Sequence, residues 1–127
     1  MRKFLLPLSL VALLGATAAH ADCTAPEVTV TIPDGANATM DEMIKAQRAI
    51  KEGNAAVEAY SQCLKGMSDA EIAAGGDKLK DPDKQKIAAK YDAIANVVID
   101  KLQGLADKFN VEVRAFKAKQ AAAAPAK

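Results

Sequence analysis

Cys23 and Cys63 are the only thiols in the chain, and its single histidine, His20, lies near the N-terminus. Without a histidine beyond residue 20, Ser–His–Asp and Cys–His nucleophilic systems have no base. Imidazole-built zinc and copper sites and c-type haem attachment go with them. Gly75-Gly76-Asp77-Lys78 has neither the spacing nor the preceding strand of a phosphate loop. Asp77, Asp81 and Asp83 could hold calcium, but they lack the EF-hand spacing and its late glutamate, and the last two suit a helix start. Met40, Met43 and Met67 are soft ligands in principle, yet methionines at helical spacing read first as core. These residue types predict a chain that is not an enzyme and that carries no cofactor or metal.

His20 itself belongs to residues 1–21 (MRKFLLPLSLVALLGATAAHA), which read as a cleavable export signal. Arg2 and Lys3 precede an apolar run, and Ala19-His20-Ala21 gives the small-residue end, with cleavage after Ala21. The run from Phe4 to Ala19 is interrupted by Pro7 and falls short of the roughly 20 residues a spanning helix needs. No integral membrane span is expected, and the destination is the periplasm or the medium. Asp22 directly before Cys23 argues against lipid attachment there. Both compartments oxidise thiols, so Cys23 and Cys63 should pair. Closing a loop of that size stabilises a fold by about 4 kcal/mol in the chain-entropy model. A redox pair would want C-x-x-C spacing, which is absent.

From Asp22 onward the chain has 15 basic and 16 acidic side chains. That near-neutral balance excludes the basic surplus of a nucleic-acid binder.

Three elements must position whatever the protein uses. Residues 22–38 form an arm, in which Val28, Val30 and Ile32 alternate with Glu27, Thr29 and Thr31 as an extended segment. Pro26 and Pro33-Asp34-Gly35 bracket it with turn signals. Thr39-x-x-Glu42 is a capping box that opens a first helix. Met43, Ala46, Ile50, Gly53, Val57, Tyr60, Leu64 and Met67 then recur at alternating steps of three and four, a coiled-coil-type seam. Gly66 supplies a stop. A short connecting helix starts at Ser68-x-x-Glu71 and breaks at Gly75-Gly76, with Leu79 packing back. Asp81 caps a second helix that runs to about Lys119. Its stripe is Ile87, Tyr91, Ile94, Val98, Leu102, Leu105, Phe109, Val113 and Phe116, an 11-residue repeat. The fold class is all-α: a long antiparallel helical hairpin spanning residues 39–119, with an Ala-rich tail at 120–127 expected to be disordered. Gly53 and Gly104, each inside a helix, mark either close approach of a partner helix's backbone or tolerated defects.

Cys23-x-x-Pro26, Ile32-Pro33-Asp34-Gly35, Tyr60-x-x-Cys63 and Phe109-Asn110-x-x-x-Arg114-x-Phe116-Lys117 resemble a group of small exported bacterial proteins of unknown function. The resemblance implies a disulfide-pinned helical hairpin and brings no activity with it.

The function expected from these features is contact with other proteins through helices, in the bacterial envelope. A two-helix hairpin cannot sequester its stripes completely, so part of them should face a partner. A small-molecule or metal-ion binder of the periplasm is the alternative. Membrane-surface contact through Arg114, Lys117 and Lys119 is a third reading. With the helices paired from a loop near residues 65 and 83, the second outruns the first. Phe109, Val113 and Phe116 then lie on an exposed overhang, open to an envelope protein or to a second copy in a homodimer.

Overall fold

A computed structural model describes residues 22–124. The export signal at 1–21, its cleavage point and the last three residues of the tail lie outside the described residues. Two helices account for most of the rest: α1, Met40–Gly75, and α2, Asp81–Ala123, joined by a single 3-10 turn at Gly76–Lys78. They pack antiparallel, and no strand occurs among the described residues.

The capping box forms as its residue types require. Thr39 Oγ1 accepts from the Glu42 backbone N–H at 3.3 Å, and Glu42 Oε2 accepts from the Thr39 N–H at 2.7 Å. The other end of α1 differs from the sequence reading. Gly66 does not stop the helix; it is exposed, an added Cβ there would meet nothing within 4 Å, and α1 passes through it. The Ser68 segment is the continuation of α1, and the connecting helix shrinks to the 3-10 turn. The stop comes at Gly76, whose φ of 51° is the left-handed conformation that a glycine takes without penalty. Leu79 packs back against Gly75, where any side chain would collide with it.

The longer α1 moves the pairing of the two helices. Met43 and Ala46 cluster with Phe109 and Phe116, Val57 with Leu102, and Tyr60 and Leu64 with Ala95. The start of α1 therefore lies beside the end of α2, and the overhang expected beyond Phe109 does not exist. In α2 the buried residues are Ala95, Leu102, Phe109 and Phe116, seven apart throughout, so the 11-residue repeat is also corrected. Ile94, placed on the stripe by its spacing, is 42 % exposed, and Ala95 takes its place. Ala95 packs with Tyr60 and Leu64, one heptad before Leu102, which is the spacing the facing seam of α1 selects. At the C-terminal end α2 keeps its helical backbone to Ala123 rather than fraying at Lys119. Alanine has the highest helix propensity, and an uninterrupted run of it extends the last turn.

The arm folds back along the hairpin as an extended strap. Val28 is its deepest residue, 3 % exposed against Leu102 and Val57, while Glu27, Thr29 and Thr31 point to solvent. The expected alternation holds.

Candidate functional site

The strap is held at three places. At the loop end of the hairpin Cys23 and Cys63 are joined in a disulfide, with Cα atoms 5.8 Å apart. At mid-length Val28 sits over Gly53, where an added Cβ would lie 3.4 Å from Val28 Cγ1 and 3.3 Å from Leu102 Cδ1. The close approach expected at Gly53 is thus made by the strap and a leucine side chain rather than by a partner backbone. At Gly104 an added Cβ would meet nothing within 4 Å.

The third hold is at the far end. Asp34 folds the chain into a turn: its Oδ1 accepts from the Ala36 N–H at 3.0 Å and its Oδ2 from Asn37 Nδ2 at 2.6 Å. The turn presents the Gly35 N–H, which donates to Glu112 Oε2 on α2 at 2.7 Å. Lys119 Nζ donates to the Ala38 carbonyl at 3.0 Å. Ala38, Ile32 and Met43 close over Phe109 and Phe116, each of which is 8 % exposed, and over the half-buried Val113. These three side chains are core in this chain. Expected on an open overhang, they are instead crossed by the turn of the arm before α1 begins. Lys119, part of the basic end proposed for a membrane surface, is engaged in holding that turn.

Met43 lies in the far-end core, Met67 at the disulfide end and Met40 is 51 % exposed, so the methionines do not converge. Among the described residues no three His, Cys, Asp or Glu side chains are gathered closely enough to hold a metal ion. Asp81 makes a 3.8 Å contact with Lys84 within the first turn of α2. No helix among the described residues is long and apolar enough to cross a membrane.

The strap covers one side of the seam between the helices and leaves the other side open. There Ile44, Ile50, Val57, Ile99, Leu102 and Ala106 floor a groove of about 1120 Å³. It continues toward the loop as a second trough of about 650 Å³, over Leu64, Ile72, Ala88 and Ala95, with Glu58, Ser61 and Ile99 common to both. The rim on α1 carries Gln47, Arg48, Lys51 and Asn54, then Gln62, Lys65 and Asp69; the rim on α2 carries Asp92, Asn96 and Gln103. Lys65 pairs with Asp69 at 2.8 Å, and that hydrogen bond raises the Lys65 pKa above its ordinary value. At the loop end Glu71 Oε2 accepts from Lys90 Nζ and from the Tyr91 hydroxyl, both at 2.7 Å. Lys90 first and Tyr91 second hold the Glu71 carboxyl below its ordinary pKa.

Ile44, 42 % exposed, and Ile99 were left out of the stripes in the sequence because each stands one position off the three-four pattern. That displacement was the available signal: apolar residues flanking a seam widen it to serve a second neighbour. No protein-family model matches the chain, and no curated protein or solved structure gives a match.

Proposed function

We propose that this chain is a non-enzymatic protein of the bacterial envelope that acts through helix-mediated protein contacts, and that the open groove is its contact face. The observation that carries the reading is the asymmetry of the hairpin. One side of its seam is strapped by the chain's own arm, and the other leaves an apolar floor between polar rims. That is the anatomy of a surface that accepts a helix, with an apolar stripe down the middle and charges at the edges.

Export, with cleavage after Ala21 and a destination in the periplasm or the medium, is part of the same proposal. A closed Cys23–Cys63 bond fits an oxidising compartment. The kinship with small exported bacterial proteins is proposed on the sequence motifs alone.

A photo-crosslinking side chain placed at Ile44 in the groove, and separately at the 71 %-exposed Val97, tests the reading in intact host cells. Protein adducts are expected from position 44 and not from position 97. Silence at 44, or equal labelling at both, would overturn it.

A further inference from the structure

The strap is an extended segment with no strand beside it. From Asp22 to Pro33, none of its main-chain N–H or C=O groups pairs with another main-chain group among the described residues. Side chains hold it instead: the Cys23–Cys63 bond at one end, Val28 in the core, and Ile32 against the cluster of Phe109 and Phe116. A row of donors and acceptors is thereby kept extended and in place. The entropy of ordering such a segment is already met by the fold, the condition that favours addition of a second strand.

Along the α2 flank of the strap lies a trough of about 560 Å³, walled by residues 28–31 and by Asp100, Lys101, Gly104, Leu105 and Lys108. It shares no residue with the open groove or with the groove's continuation toward the loop. Gly104 keeps it open. An added Cβ there meets nothing within 4 Å, so packing within the chain does not require glycine, and a mid-helix glycine is destabilising relative to alanine. A strand paired with the strap lies about 4.8 Å from it, and within this trough that strand passes over residue 104.

We propose that the strap is an edge for strand addition: an extended acidic segment of a partner protein lies in the trough, main chain against residues 28–31 and across Gly104. The inference goes beyond helix-mediated contact and does not depend on the groove.

Alternate residues of an extended chain present N–H and C=O to the same edge, so two of the four residues 28–31 are available to the partner. Thr29, Val30 and Thr31 are β-branched, the side-chain type that packs best across paired strands. The charges set the partner's chemistry. Lys101 and Lys108 stand one heptad apart on the α2 wall, and neither is ion-paired among the described residues. Asp100 is the one carboxylate on the wall, which leaves a positive excess. Acidic side chains on the incoming strand therefore meet charge of opposite sign.

Amide hydrogen exchange of the processed, disulfide-intact protein, with and without a blocked hexapeptide of alternating valine and glutamate, decides it. Saturable binding should slow exchange at amides within residues 28–31 and leave α1 unchanged. Methylating the peptide's backbone nitrogens should abolish binding, and lysine in place of glutamate should weaken it about tenfold. Gly104→Leu should keep the helical circular dichroism and the thermal midpoint while abolishing peptide binding, because the new side chain fills the trough. No binding at millimolar peptide overturns the proposal, as does binding that survives N-methylation or Gly104→Leu. A lysine peptide that binds equally well removes the acidic partner. Protection of residues 28–31 that grows with protein concentration in the absence of peptide would make the occupant a second copy, and that too overturns it.

Discussion

The Gly35 N–H and the Glu112 carboxylate meet at 2.7 Å across 77 residues of sequence, tying the turn that ends the strap to the last third of α2. The approach is so close that a Cβ on residue 35 would overlap the Glu112 carbonyl and lie 3.0 Å from the Phe116 nitrogen. Both of those atoms are backbone, and neither can swing aside.

Glycine substitutions should therefore have opposite signs at different places. Gly35→Ala is expected to destabilise the fold by about 2–3 kcal/mol, because the turn must lift off Phe116 to admit a methyl group. Gly104→Ala, where an added Cβ has open space, should stabilise it by about 0.5–1 kcal/mol through helix propensity. Urea midpoints measure both. A Gly35→Ala protein as stable as wild type would mean that the turn does not sit on α2.

Breaking the disulfide should loosen one end of the strap only. Cys63→Ser opens a loop of 40 residues and is expected to cost about 4 kcal/mol. Thermolysin should then cut between Cys23 and Val30, while the turn at Asp34–Ala38, held by Glu112 and Lys119, stays resistant. Thiol titration of the denatured, unreduced wild type should find no free thiol; two per chain would refute the pairing.

Acid should destabilise the protein through two carboxylates. Glu42 is held below its ordinary 4.5 by the Thr39 backbone N–H first and the Thr39 hydroxyl second, and Glu71 by Lys90 and then Tyr91. A lowered folded-state pKa means that the unfolded chain binds the proton more readily. The contribution is complete above 4.5 and is lost as pH falls through the lower folded values. The double variant Glu42→Gln, Glu71→Gln should show a flatter loss of stability below pH 4.5 than wild type. Parallel acid limbs in the two proteins would contradict this.

Much of the molecule was legible in its residues. The Thr39–Glu42 capping box, the alternation at Val28, Val30 and Ile32, and the seam from Met43 to Met67 all read directly, because each is a local pattern with one geometric meaning. The pairing of the helices did not read, and a single residue is responsible. Gly66 looks like a stop, but a glycine ends a helix only when the chain beyond it turns away, and here Ser68 and Ile72 continue a face that α2 can cover. Taking the stop at Gly66 shortens α1 by nine residues relative to its end at Gly75. That error created the overhang and put Phe109, Val113 and Phe116 outside. The groove was half legible: an incompletely covered stripe was foreseen, but which side the arm would take depends on the Asp34–Gly35 turn meeting Glu112, a contact between distant segments.

The seven-residue recurrence in α2 has a consequence for the same turn. If α2 slid along α1 by one heptad, Leu102 would drop into the place of Ala95 or Phe109, and apolar side chains would still face apolar side chains. Burial alone discriminates poorly among such slipped states. The turn does not tolerate them: after a slip, Leu105 or Lys119 would stand where Glu112 stands, and neither side chain can accept a hydrogen bond from the Gly35 amide. An amide left without an acceptor beside the core costs about 1–3 kcal/mol, and about 1.4 kcal/mol already shifts an equilibrium tenfold. Gly35 and Glu112 thus act as an index mark on a ruler of equal divisions, selecting the one alignment in which the hairpin, the strap and the open groove coexist.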